Sequence, residues 1–401
     1  MYNPLLIAPA GNYEKLKIAL QFGADAVYLG DARYSLRACS DNFSREELRE
    51  AVNYVHNFGK KVFVTVNIFA RNNEFDNIKN YISYLIDLKI DGIVVSDPGI
   101  FETIKEIDPS VNIHISTQAN VFNYKTVKFW EKLKAKRIIL ARELTFQEIK
   151  RIRESTSLEL EIFIHGAMCM AYSGRCFLSN YMTGRDANIG MCAHPCRYRF
   201  NLVEEKRPGQ YFPVDEDQRG SYILSSKDLC TIEHIHKFMQ IGINGFKIEG
   251  RMKGIYYLAV VTKTYRKAID NYIKNPDNYI YNTEWKEELL NISHREYTGG
   301  FYFEKDNIGM QTGTSYIQKY DIVGIIKEIN ENGYLVEIRG KLEENDNIEI
   351  LTPYEDLQSQ KIEIIKDKER NTISIAQPNQ LVYIELKGDL QEGYILRRKK
   401  V

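Results

Sequence analysis

The chain has 401 residues, 44% of them hydrophobic and 27% charged, enough to bury a large core and, by length, to form two or three domains. Lys+Arg and Asp+Glu both number 54, so the net charge is zero and no chain-wide basic footprint points to nucleic acid; such a surface has to be local. No run of roughly 18 apolar residues occurs, and the N-terminus lacks the basic segment and long apolar stretch of a secretory signal, so no membrane span is expected and a cytoplasmic protein with reduced thiols is.

From residue 4 to about 275, short apolar runs alternate with amphipathic helical stretches. The runs lie at 5–8, 26–29, 62–66, 92–95, 113–116, 137–140, 160–164 and 245–248, giving eight predicted strands. Helices are predicted between them at 13–22, 44–58, 75–88 and 124–133. Ser44 with Glu47 and Thr145 with Glu148 read as capping boxes, and Gly23 and Gly59 sit where helix-ending glycines belong. Apolar strands alternating with helices imply a parallel sheet covered by helices, and eight units over this length fit an α/β fold of the (β/α)8, TIM-like barrel type. No G-x-G-x-x-G follows the first strand, which counts against a dinucleotide-binding sheet.

The seventh unit is interrupted after Ile164-His165-Gly166 by a cysteine-rich insertion at about 166–222. Helical pattern resumes at 225–232, and a last long helix at about 254–273 closes the barrel. This predicts a barrel domain over 1–280, a linker over 281–317, and a small all-β C-terminal domain, a β-barrel, over 318–401. Its strands are expected at 322–329, 333–338, 348–351, 372–376, 381–386 and 393–396, with Asn332-Gly333 as a hairpin turn.

Cys169, Cys176, Cys192, Cys196 and Cys230 fall in one stretch, while Cys39 stands alone. Only Cys192/Cys196 has the close spacing of zinc ribbons; the wider gaps suit ligands gathered by a fold, as around a cubane cluster. From spacing, an iron–sulfur site, structural zinc and inert thiols all stay open. Arg185 and Arg197, with Arg175 and Arg199, surround these cysteines and are candidates to offset a negative cluster or hold an anionic substrate.

Active sites of such barrels form at the C-terminal ends of the strands. That rule selects Asn67, Ser96, Asp97, Ser116, Gln118, Asn120, Arg142, Glu143 and His165, with Lys247, Glu249 and Arg251 on the eighth strand. His165 would orient a carboxylate or base, or simply donate to a backbone carbonyl. Lys247 and Glu249 share a strand face by period two, so an internal ion pair is the plain alternative to catalysis. Arg142 and Arg251 suit bidentate binding of carboxylate or phosphate. Gln118 and Asn120 could read a base edge or satisfy buried backbone. The basic tail Arg397-Arg398-Lys399-Lys400 would touch phosphates or, more simply, fray into solvent.

The segment from His165 to Arg197 resembles the signature of the U32 family, long labelled peptidases or collagenases. Further matches are Leu6-Ile7-Ala8-Pro9-Ala10-Gly11-Asn12, Ala26-Val27-Tyr28-Leu29-Gly30, Asn42-Phe43, Ser225-Ser226-Lys227-Asp228-Leu229-Cys230 and Phe246-Lys247-Ile248-Glu249-Gly250-Arg251-Met252-Lys253. Glu296-Tyr297-Thr298-Gly299-Gly300-Phe301-Tyr302 followed by the β module is similar to the branch of that family involved in 5-hydroxyuridine formation at the wobble position of tRNA.

The resemblance implies a [4Fe-4S] cluster on Cys169, Cys176, Cys192 and Cys230; another branch would instead use positions matching Cys39, Cys176, Cys192 and Cys196. It further implies oxygen-independent hydroxylation of tRNA, with prephenate, a small dicarboxylate, as co-substrate and oxygen donor, and an electron donor as a further partner. Lys247, Glu249, Arg251 and His165 are then the expected catalytic groups, and Asn67, Gln118, Asn120, Arg142, Arg185 and Arg197 the substrate-binding ones. Two alternatives stand beside it. A peptidase finds no H-E-x-x-H and no G-x-S-x-G here, which leaves only a cysteine nucleophile. A non-catalytic RNA-binding or cluster-carrying module is the other.

Overall fold

A computed structural model describes residues 2–31, 33–35, 42–168, 176–185, 187, 190–195, 201–203, 211–213, 227–303, 317–331, 333–354 and 358–400. Cys39, Cys169, Cys196, Arg175, Arg197, Arg199 and the turn residue Asn332 lie outside the described residues.

The first seven strands are β1 (Leu5–Pro9), β2 (Ala26–Gly30), β3 (Lys61–Val66), β4 (Gly92–Val95), β5 (Ile113–Ile115), β6 (Arg137–Ile139) and β7 (Glu159–Ala167). Between them run α1 (Tyr13–Gln21), α2 (Arg45–Asn57), α3 (Phe75–Asp87), α4 (Pro98–Ile107), α5 (Tyr124–Lys132) and α6 (Phe146–Ser155). Both expected capping boxes form: the Ser44 hydroxyl accepts from Glu47 N–H while Glu47 accepts from Ser44 N–H, and Thr145 and Glu148 do the same. The excursion after β7 holds α7 (Leu178–Thr183), the ribbon β8 (Asn201–Val203) and β9 (Tyr211–Pro213), and β10 (Asp228–Cys230). α8 (Ile235–Gln240) then leads to β11 (Gly245–Ile248), which pairs in parallel with both β1 and β7. Strands β1–β7 and β11 therefore close into an eight-stranded parallel barrel, covered on its outside by helices that include α9 (Ile255–Lys274).

Two expectations are corrected. Residues 228–230 are not helical: they pair antiparallel with His165, Gly166 and Ala167, because β7 continues past the barrel rim and needs a partner there. Nor are 281–317 a linker in their described part. α10 (Glu284–Leu289) packs on α9, and β12 (Tyr297–Thr298) pairs with β10. The buried Arg295 guanidinium grips the Asp228 carboxylate at 2.7 and 3.1 Å, and the Tyr302 hydroxyl donates to Phe163 O at 3.1 Å.

The C-terminal region is an antiparallel curled sheet with its own apolar core. Its strands are β13 (Tyr320–Asn330), β14 (Gly333–Ile338), β15 (Leu342–Glu343), β16 (Asn347–Leu351), β17 (Gln358–Lys361), β18 (Ile365–Lys366), β19 (Thr372–Ile373), β20 (Ile375–Ala376), β21 (Leu381–Ile384) and β22 (Ile395–Lys399). Eight of them order as β17-β16-β22-β13-β14-β21-β18-β19, and β15 pairs with β20. The basic tail is not frayed. Arg397 lies in β22 at 1% exposure, bonded to Glu349 (2.9 Å), Tyr256 (3.1 Å) and Glu288, and packed 4.5 Å from the Tyr320 ring centre. It joins the sheet to α9 and α10.

Candidate active site at the barrel mouth

A cleft of about 550 Å3, counting its open side, lies at the C-terminal ends of the barrel strands. Asn67, after β3, and Ser116, Thr117 and Gln118, after β5, line one arc of it; Arg142, after β6, and Lys247, Glu249 and Arg251, on and after β11, line the other. Of the residues selected from sequence, the structure thus gathers Asn67, Gln118, Arg142, Lys247, Glu249 and Arg251 around one space.

Lys247 does not pair with Glu249 along its own strand. Its ammonium donates to Glu161 Oε1 of neighbouring β7 at 3.0 Å and sits 4.2 Å over the centre of the Tyr28 ring. Glu161 Oε2 takes a second bond from Arg137, at 3.1 Å, and Arg137 in turn holds Glu159 at 2.6 and 2.9 Å. Burial, the largest single influence, pushes the Glu159 carboxyl up, but the charges and hydrogen bonds of Arg137 and Lys136 together outweigh it and the net shift is downward. Lys247 is therefore a cation fixed from below by a buried carboxylate.

Arg251 is buried and braced: its guanidinium donates to Ser35 Oγ (2.7 Å), Gly30 O (2.9 Å) and Asn42 Oδ1. It ties the segment after β2 to the rim, which sets it apart from the expected free carboxylate binder. Arg142 lies 4.8 Å over the Phe163 ring and donates to Ala167 O at 2.9 Å. Glu249 is positioned through its backbone: its N–H donates to His165 O and its carbonyl accepts from the Tyr257 hydroxyl, both at 2.9 Å. Gly166 has φ +106°, and a Cβ there would come within 2.4 Å of Glu249 O, so a glycine is required for this approach.

His165 is not in the cleft. Lys247 pairs with Phe163 but Ile248 pairs with His165, so β7 carries one extra residue, Ile164. That bulge reverses the inward–outward alternation, leaving Phe163 on the cleft and His165 behind the wall. The imidazole is enclosed by Tyr257, Tyr265 and Tyr297, with the hydroxyls of Tyr265 and Tyr297 each 3.4 Å from a ring nitrogen. Burial pushes its pKa down to about 3 against a smaller upward pull from Asp228. Asn120 is likewise outside the cleft lining; it takes the left-handed conformation (φ +53°) that ends the turn 117–119. Arg185 is exposed on the excursion, its Nε–H donating to Met191 O at 3.1 Å.

Cys176 and Cys192 are half-buried cysteines, and Cys230 is a buried one. The Cys192 sulfur accepts from His194 N–H at 3.4 Å. Cys230 Sγ lies 3.9 Å from the Tyr265 hydroxyl, and burial pushes its thiol up to about 11. These soft donors fit a thiolate-bound cluster in type. Among the described residues, however, no three His, Cys, Asp or Glu side chains come together as a metal site.

The sequence model of Peptidase family U32 matches residues 11–312, and that of the Peptidase family U32 C-terminal domain matches 318–397. The chain belongs to peptidase family U32. This U32 chain is 39% identical over 402 residues to "tRNA hydroxylation protein P1" of Bacillus subtilis (strain 168), covering 99% of this chain and 95% of that one. It is 36% identical over 397 residues to "tRNA hydroxylation protein P" of Escherichia coli (strain K12), covering 88% and 87%. It is also 32% identical over 411 residues to a "Collagenase" of Porphyromonas gingivalis, covering 98% and 97%. No described helix is long and apolar enough to cross a membrane.

Sequence reasoning missed the ionic floor of this U32 barrel, Glu161 and Arg137, and the lining residues Ser35 and Thr65. The signal was available. Glu161 is an acid inside an otherwise apolar run, and buried charges need partners. It also passed over His114, buried against Phe63 with its pKa held well below the usual range, first by burial and then by the Arg137 charge.

Proposed function

We propose that this chain hydroxylates tRNA, converting a wobble uridine to 5-hydroxyuridine without molecular oxygen. The observation that carries the reading is relatedness along nearly the whole chain to proteins named for tRNA hydroxylation, at 33–39% identity. The cleft is suited in kind. A loop base can enter a barrel mouth without breaking base pairs. The β3–β5 arc offers amide and hydroxyl groups for a base; the β6–β11 arc offers Lys247 and Arg142 for the carboxylates of a small acid, with prephenate as the proposed oxygen donor. Glu249 is the carboxylate among the described lining residues and the proposed acceptor of the proton leaving C5.

Iron–sulfur dependence belongs to the proposal through donor type alone; a cluster on these thiolates would supply one-electron chemistry, with an electron donor as its implied partner. The test is mass spectrometry of tRNA nucleosides from a strain lacking this gene, alone and complemented. Hydroxyuridine should vanish and return, and Lys247→Met should fail to restore it. Hydroxyuridine that persists in the deletion strain would sink the reading.

A second reading, peptidase, is favoured by the relative named a collagenase. Among the described residues, the cleft lining contains neither cysteine nor histidine, so no described Cys–His pair fronts it. Cleavage of denatured collagen that is abolished by thiol alkylation would support it.

A further inference from the structure

Gln118 sits on a short turn whose geometry is fixed from beneath. The buried Thr117 hydroxyl donates to Leu140 O at 3.2 Å, and the Gln118 N–H donates to Ser116 Oγ at 3.4 Å. The side-chain amide is oriented by two donors. Ser116 Oγ and Asn67 Nδ2, the latter at 3.5 Å, both donate to Gln118 Oε1. An amide oxygen has two acceptor sites, and these two bonds occupy them. The amide nitrogen, with two N–H donors, is thereby turned away from Ser116 and Asn67, on a half-buried side chain that lines the cleft.

A fixed donor selects an acceptor. Uracil carries a carbonyl at C4, where cytosine carries an amino group that is itself a donor. We propose that Gln118 is a specificity-determining residue that selects uracil over cytosine by donating Nε2–H to the O4 carbonyl of the entering base. This rests on the reading above, that an RNA pyrimidine occupies the cleft. Cytosine in the same pose would set donor against donor and leave both unpaired, a mismatch that polar sites reject more strongly than apolar ones.

The test uses the full chain and two labelled stem-loop RNAs that differ only in U or C at one unpaired loop position. The wild type should bind the U form tighter, on the order of tenfold. Gln118→Glu keeps the shape and the acceptor for Ser116 and Asn67 but replaces the donor by an acceptor. It should level or reverse the ratio, with thermal unfolding unchanged. Gln118→Met should level it, and carries the test should the Glu variant fail to fold. Equal binding of U and C by the wild type, or a U preference that survives both substitutions, overturns the assignment. So does a variant that keeps the preference and instead needs more prephenate for hydroxylation, since the amide would then serve the small acid. A wild type that binds neither RNA overturns the tRNA reading itself, and this assignment with it.

Discussion

Replacing Glu161 by Gln is the sharpest test of how the barrel floor holds its cation. Glu161 is 1% exposed, Lys247 6% and Arg137 4%, so water screens none of them. The substitution leaves Arg137 with Glu159 but removes the carboxylate that holds Lys247, 3.0 Å away. Removing one partner of a buried pair costs about 3–5 kcal/mol. The Gln amide oxygen still accepts one bond from the ammonium, which places the loss at the lower end, about 3 kcal/mol. With an unfolding entropy of about 2.1 cal/mol/K per residue over 401 residues, that is a fall in Tm of roughly 4 °C. Lys247→Met leaves Glu161 paired with Arg137, so the double variant Glu161→Gln/Lys247→Met should melt above Glu161→Gln alone. Calorimetry of the four proteins closes the cycle. If Glu161→Gln melts within about 1 °C of the wild type, or the two single losses simply add, the buried coupling is wrong.

Arg397→Leu should destabilise the chain by about 2–3 kcal/mol, less than a fully buried pair because Glu288 and Glu349 are 20% and 24% exposed. Limited proteolysis should then release the C-terminal sheet from the barrel, and an unchanged digestion pattern would count against its joining role. Gly166→Ala should cost at least about 2 kcal/mol, from the positive φ and the clash with Glu249 O, and should abolish the proposed tRNA hydroxylation because Glu249 must move. His114 and His165 are buried and neutral, whereas the unfolded chain protonates both below about pH 6.5. The unfolded state then binds more protons, so stability is complete above that pH and falls on acidification. The slope is up to about 1.4 kcal/mol per pH unit per histidine, continuing for His165 toward its folded value of about 3. Urea midpoints at pH 7, 6 and 5 that do not fall would contradict it. Anaerobically purified protein should contain iron and acid-labile sulfide, and Cys230→Ala should lose both; full retention would place the cluster on other thiols.

The barrel strands were legible because parallel strands buried on both faces read as unbroken apolar runs, and α2 and α6 because capping boxes are local chemistry. What escaped was decided by tertiary pairing. Residues 228–230 became a strand only because β7 overshoots the rim. The stretch 284–303 joined the barrel through an ion pair between Arg295 and Asp228, 67 residues apart. The orientation of His165 depended on one extra residue in β7, which no periodicity reveals. The sequence offered Glu249 as the ion-pair partner of Lys247, but the partner is Glu161 across the sheet, in a register the sequence does not display.

The overshoot of β7 has a consequence for how this chain can change. Gly166 and Ala167 lie beside Leu229 and Asp228, so the excursion leaves and rejoins the wall at adjacent positions. Its length is then limited by closure entropy, which rises by only about 0.6 kcal/mol for each doubling. The barrel wall on either side, held by the pairing of β7 with β10 and with β11, therefore keeps its register whatever the number of residues strung between Ala167 and Asp228.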